Sequence, residues 1–216
     1  MPGQDVLTPR RVQTGTKEAQ WVHRFGLTER FAHWWTVLMM ITALATGLAL
    51  GDDNEGGPLV TVHWSAVALV GAGYLVALVV GDTRALLRAT WRLFAFGRRD
   101  GIWIADHLRT SRSRRQGDYG MFNPGQKALA WALTITMGVV IYTGILALGA
   151  RGEDAAGSHA TAVIVAGVLV GVHLFMAVLN PATNPALRGM LVGRVRRSWA
   201  ARHHGGWLRD EEHHEG

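Results

Sequence analysis

The sequence predicts an all-α integral membrane protein, a bundle of four transmembrane helices. Three observations carry this. Four stretches, 31–50, 58–81, 128–150 and 155–187, contain no Asp, Glu, Lys or Arg. A helix needs about 20 residues to cross the hydrocarbon core, and each run is long enough. Every lysine and arginine except Arg151 falls in the leader, the long loop 82–127 or the tail from Arg188 onward. Four of the ten histidines, His33, His63, His159 and His173, lie inside the uncharged runs.

Inside lipid the backbone must bond to itself, so the uncharged runs are read as helices. The mean hydropathy of +0.12 conceals them, because the apolar residues are clustered. Helix one carries Trp34 and Trp35 near one edge, and helix two carries Trp64 near the other, as interfacial aromatics do. Segment 84–96 mixes Arg with Leu, Trp and Phe, as either an interfacial amphipathic helix or a continuation of helix two. Helix three has no histidine and is read as a wall of the bundle. Asn180-Pro181 is expected to end or kink helix four. No internal repeat is apparent, and 1–20 and 205–216 are expected to be mobile tails.

The charge pattern sets topology. The loop between helices one and two has Asp52, Asp53 and Glu55 and no basic residue. The positive-inside rule then puts both termini and the long loop in the cytoplasm, as a multi-pass protein of a bacterial cytoplasmic (inner) membrane. About 30 residues precede the first apolar run, which is itself long enough to span, so no cleaved signal peptide is expected. The expected organisation is a cytoplasmic N-terminal tail (1–24), a four-helix core (25–187) containing the loop 82–127, and a basic cytoplasmic C-terminal tail (188–216). This pattern accounts for the isoelectric point near 10.7 without nucleic acid as a partner. The absence of cysteine excludes disulfides, thiolate-held clusters and covalent c-type haem.

Polar groups at membrane depth are costly and mark function. Helix two starts on the outer side and helix one on the inner side, so His63 lies near the outside and His33 near the cytoplasm. Helix four also starts outside. His159 is therefore outer, and His173, fourteen residues later, lies about 21 Å deeper on nearly the same face. The result is two imidazole pairs, His63 with His159 and His33 with His173. Two opposed imidazoles suit the axial positions of a b-type haem, so two haem b groups are expected. Gly47, Gly71, Gly73, Gly138, Gly144, Gly167 and Gly171 either make room for a flat macrocycle or serve close helix packing. His23, His107, His203, His204, His213 and His214 lie among charges and are read as solvated or headgroup-facing. A histidine-based proton or metal-ion transporter is the alternative from another functional class, and it predicts no tightly bound chromophore.

Several segments resemble the membrane cytochrome b (gamma) subunit of respiratory formate dehydrogenase, within the bacterial di-haem b-type cytochromes. TERFAHWW (28–35), VHW (62–64), MFNPGQK (121–127), the His159–His173 spacing and RRSWAARHHGGWLRD (196–210) carry the resemblance. Pro124 stands where the family usually has Ala, and Gly205-Gly206 where it has Pro-Arg. The resemblance implies iron-sulfur (beta) and molybdenum or tungsten (alpha) partner subunits. It also implies reduction of menaquinone or ubiquinone at Asn123, Gly125 and Gln126, with Glu29 a candidate proton carrier. Formate oxidation belongs to the partner; no residue of this chain is read as catalytic. Hydrogenase cytochromes b share the four-histidine scheme, so a NiFe hydrogenase or another molybdoenzyme is the neighbouring alternative.

Overall fold

The computed structural model describes residues 20–50, 57–109, 119–149 and 153–215. Residues 1–19, the acidic Asp52, Asp53 and Glu55, Arg151, and the side chains of His107 and His214 lie outside the described residues. Among the described residues, four helices are long and apolar enough to cross a membrane. These are α1 (Leu27–Leu50), α2 (Pro58–Val80), a later helix Pro124–Gly149 and a last one from Glu153, whose apolar span runs to Leu179. The expected four-helix membrane bundle is the fold.

Local chemistry sets the ends of these helices. Pro58 opens α2, where its missing N–H costs nothing. Gly81 closes α2 in extended geometry, and a Cβ there would sit 2.6 Å from both the Ala77 carbonyl oxygen and the Thr28 side chain. Thr28 Oγ1 accepts from the Asp82 N–H at 2.8 Å, tying the foot of α1 to the end of α2. Asp82 then caps a separate helix, α3 (Thr83–Phe94), by accepting from Ala85 N–H at 2.9 Å. Segment 84–96 is thus a distinct amphipathic helix rather than a continuation of helix two. It packs on α1, α2 and the third span.

Helix α4 (Arg98–Arg109) follows, and α5 is the third span. A reciprocal box starts α5: Gln126 N–H donates to Asn123 Oδ1 at 2.8 Å, and Asn123 N–H donates to Gln126 Oε1 at 3.0 Å. Lys127 Nζ joins α4 to α5, bonding Asp100 Oδ2 at 2.8 Å and the Ala95 carbonyl at 2.9 Å. Helix α6 (Glu153–Leu174) runs on through a wide turn, Phe175–Leu179, and stops at Asn180, as Asn180-Pro181 foretold. Asn180 N–H bonds the Phe175 carbonyl, and the Thr183 hydroxyl bonds that of Met176, so the last carbonyls find partners.

The remaining chain folds back under the bundle. Helix α7 (Leu187–Val192) ends at Gly193, the one described residue with positive φ (+80°). A Cβ there would meet the Phe25 carbonyl oxygen at 2.8 Å. Strand β1 (Trp21–His23) pairs antiparallel with β2 (Arg194–Arg196), Val22 opposite Val195. Helices α8 (Arg197–His203) and α9 (Gly205–Glu215) complete a cap. Its core is Phe25, Met121, Val195, Trp199, Ala200, Trp207 and Leu208, all buried. Segment 205–216 was expected to be mobile, yet 205–215 is helical and Trp207 is 2% exposed. Burial of the indole ring outweighs the polar composition around it.

Within the bundle, α1 packs along α2 and α5 along α6, with no comparable packing between the two hairpins among the described residues. Apart from Pro124 at the start of α5, the residues buried in the spans are small: Ala32, Ala43, Ala66, Gly73, Ala77, Gly144, Ala162 and Ala166. Small residues bring helix backbones close.

Candidate haem centre

Two histidine pairs bridge the hairpins. At the capped end, His33 of α1 faces His173 of α6 with ring centres 6.3 Å apart. At the far end, His63 of α2 faces His159 of α6 with ring centres also 6.3 Å apart. The planes meet at 54° in the first pair and 87° in the second. The pairing is the one that helix direction and depth lead to.

The spacing has a simple chemical meaning. A metal about 2 Å from each coordinating nitrogen, with each ring centre roughly 1.2 Å beyond its nitrogen, separates two opposed imidazole centres by about 6.4 Å. Among the described residues no three His, Asp or Glu side chains gather into a metal site. A metal between two imidazoles therefore needs its other donors from elsewhere, as a porphyrin supplies them. The residues present fit haem b.

The far pair is held by its neighbours. His63 Nδ1 lies 2.8 Å from the Ala43 carbonyl oxygen and 3.3 Å from Thr46 Oγ1. His159 Nδ1 lies 3.0 Å from the Val140 carbonyl oxygen and 3.3 Å from Thr143 Oγ1. A carbonyl only accepts, so Nδ1 carries the proton in both rings and Nε2 keeps its lone pair. Glycines sit against both rings. A Cβ on Gly47 would be 3.2 Å from His63 Cε1, and one on Gly144 would be 3.1 Å from His159 Cε1. Of the other glycines noted in the spans, Gly73 admits the Trp35 indole, while an added Cβ on Gly71, Gly138, Gly167 or Gly171 would have nothing within 4 Å among the described residues. His33 and His173 have no hydrogen-bond partner among the described residues.

Asn123, Gly125 and Gln126 start α5 at the capped end, the end that also holds His33 and His173. No described hydrogen bond or ring contact links the two groups. The oxygens of both amides are spent on the helix-starting box, which leaves each NH2 as an uncommitted donor among the described residues. Trp103 of α4 lies beside Gly125. Glu29 Oε2 is buried without a partner among the described residues.

The cap supports this corner. Three successive carbonyls leading into α5 are taken by other segments: Tyr119 by the Trp207 N–H at 3.1 Å, Gly120 by His204 Nδ1 at 2.8 Å, and Met121 by Arg24 Nη2 at 2.6 Å. Arg24 is buried with its guanidinium within 5.2–5.6 Å of the ring centres of Trp199, Phe25 and Trp207. Burial pulls its pKa down to about 9, so it stays charged at neutral pH. Burial, then the Arg24 charge, hold the His204 pKa down to about 3, against the opposing pull of its bond to Gly120. His204 was read as solvated; it is 2% exposed and neutral, because a second cation beside Arg24 would be costly.

Sequence reasoning missed Thr46, Thr143, Trp103 and the Arg24–His204 clamp. The first two carried a signal: a Thr-Gly pair precedes His63 and His159 by nearly the same interval.

A membrane bundle with imidazoles paired across its interior defines a helical cytochrome of the b type. The chain belongs to the prokaryotic cytochrome b561 family, which residues 24–193 match. It is 22% identical over 203 residues to the cytochrome b556(fdo) subunit of formate dehydrogenase from Escherichia coli (strain K12), covering 90% of this chain and 95% of that protein. It is also 28% identical over 104 residues to the cytochrome b556(Fdn) subunit of the nitrate-inducible formate dehydrogenase of the same strain, covering 44% of this chain and 46% of that protein. A counterpart from Shigella flexneri matches to the same extent.

Proposed function

We propose that this chain is the di-haem membrane subunit of a formate dehydrogenase-type complex, passing electrons from an iron-sulfur partner to membrane quinone. The observation that carries this reading is the repetition of one imidazole separation, 6.3 Å, at both ends of the bundle. The positive-inside rule makes the capped end cytoplasmic, with both termini there, in a bacterial inner membrane. His63 and His159 would then hold the outer haem, and His33 and His173 the inner one. A transporter that used these histidines to move ions would have no need of that fixed spacing.

Haem b, when bound, supplies a one-electron carrier at each tier. The chain's own residues do the rest. The four imidazoles would hold the carriers in place, His63 and His159 through Nε2 because their Nδ1 protons are committed to carbonyls. Asn123 and Gln126, with their oxygens committed to the helix start, present NH2 donors to a quinone carbonyl. Glu29 offers a carboxylate for protons entering from the cytoplasm. Quinone reduction on that side, fed from the outer side, moves charge across the membrane.

Haem quantification and a reduced-minus-oxidised spectrum of the purified chain test the reading. Two haem b per chain are expected, and His33→Ala or His63→Ala should each remove one. Full haem content in both variants rejects the ligand assignment. Asn123→Asp and Gln126→Glu keep the box oxygens and remove the NH2 donors. Helix stability should hold while the quinone KM rises at least severalfold; an unchanged KM rejects the quinone site.

A further inference from the structure

We propose that Thr46-Gly47 and Thr143-Gly144 form a duplicated cradle that orients the far-end imidazoles and lowers the reduction potential of the group they ligate. The inference rests on the ligand reading above and goes beyond it in assigning a role to residues that touch no iron. Each half is built alike. A threonine on one helix of a hairpin donates its hydroxyl proton to its own helix: Thr46 to the Thr42 and Ala43 carbonyls, Thr143 to those of Val139 and Val140. Its oxygen is thereby left as an acceptor, 3.3 Å from Nδ1 of a histidine on the other helix of the same hairpin. The carbonyl three residues before that threonine takes the same N–H at 2.8 or 3.0 Å. The next residue is glycine, and the histidine ring lies on it.

Two acceptors around one N–H draw that proton away and make the opposite nitrogen a stronger donor. A stronger donor favours the oxidised metal, so the cradle lowers the potential of its own tier. His33 and His173 have no such partner among the described residues, so the effect is confined to the far end. The bias runs in the direction that hands electrons on to the other tier, and no proton need move.

The test is an equilibrium redox titration of the full chain, followed optically, with the far-end component identified as the one missing in His63→Ala. Thr46→Val and Thr143→Val keep the side-chain shape and remove the acceptor. Together they should raise that component alone, changing electron sharing between the tiers by threefold to tenfold, tenfold being about 59 mV for one electron. Thr46→Ser and Thr143→Ser should restore the original value. Gly47→Ala, which presses a methyl on the ring, should move the same component and no other. Full haem content with no shift, or an equal shift of both components, overturns the cradle while leaving the ligand reading intact. Retention of both haems in His63→Ala overturns both.

Discussion

His204→Asn separates the titration of the cap from its packing. In the folded chain His204 titrates at about 3; an unfolded histidine titrates near 6.5. The folded pKa is the lower one, so protons bind the unfolded state more readily. The contribution is complete above the unfolded value and is lost as pH falls from about 6.5 toward 3. At pH 5 the unfolded ring is almost fully charged and the folded ring still neutral, a loss of roughly 2 kcal/mol, or about thirtyfold in the opening equilibrium. Asparagine places an N–H near the position of Nδ1, so it can still donate to Gly120, and it does not titrate. Hydrogen exchange of segments 119–122 and 199–208, corrected for intrinsic rates, reads the opening directly. Wild-type protection should fall by about that factor between pH 7 and pH 5, and the variant should stay nearly flat. A wild-type change below threefold, or a variant with the same slope, refutes the assignment of the acid sensitivity to this ring.

Three further outcomes are expected. Trp207→Ala removes a ring that is 2% exposed at the centre of the cap and should cost about 3–5 kcal/mol of cap stability, read by protease cleavage within α8 and α9. Lys127→Met leaves Asp100, 13% exposed, without its cation and should cost about 3–5 kcal/mol in thermal unfolding, most of it recovered in Lys127→Met/Asp100→Leu. Gly73→Ala puts a Cβ 2.0 Å from Trp35 Cδ1, so the indole must leave and break its 2.7 Å bond to the Leu69 carbonyl. The cost should be about 1–3 kcal/mol in thermal unfolding, relieved by Trp35→Phe.

The spans and the histidine tiers were legible because each is a local pattern. A run without charge reports a helix in lipid whatever lies around it, and fourteen residues on one helix fix both depth and face. The cap was not legible for the opposite reason. Arg24, Gly120 and His204 are far apart in sequence, and each sits in a polar neighbourhood that reads as solvated. Nothing local distinguishes His204, which is buried, from His213, which is exposed. The duplicated cradle lay between these cases. Ala43-x-x-Thr46-Gly47 and Val140-x-x-Thr143-Gly144 share only two identical letters, too few to register as a repeat. The hydrogen bonds repeat even though the sequence scarcely does, since a carbonyl serves whatever side chain its residue bears.

The clamp and the proposed quinone site occupy one continuous stretch, which ties their behaviours together. The carbonyls of Tyr119, Gly120 and Met121 are fixed by Trp207, His204 and Arg24, and the box that opens α5 begins two residues later. Opening the clamp therefore loosens Asn123 and Gln126 relative to the bundle, whereas the histidine tiers are fixed within the helices. Acid should raise the quinone KM in wild type more than in His204→Asn, with the haem spectra of both unchanged. Quinone reduction itself consumes protons, so the difference between the two proteins, rather than the slope of either, carries the test. Equal KM profiles from pH 7 to pH 5 would mean that the box holds its place without the clamp. The NH2 donors of Asn123 and Gln126 would then owe their orientation to α5 alone.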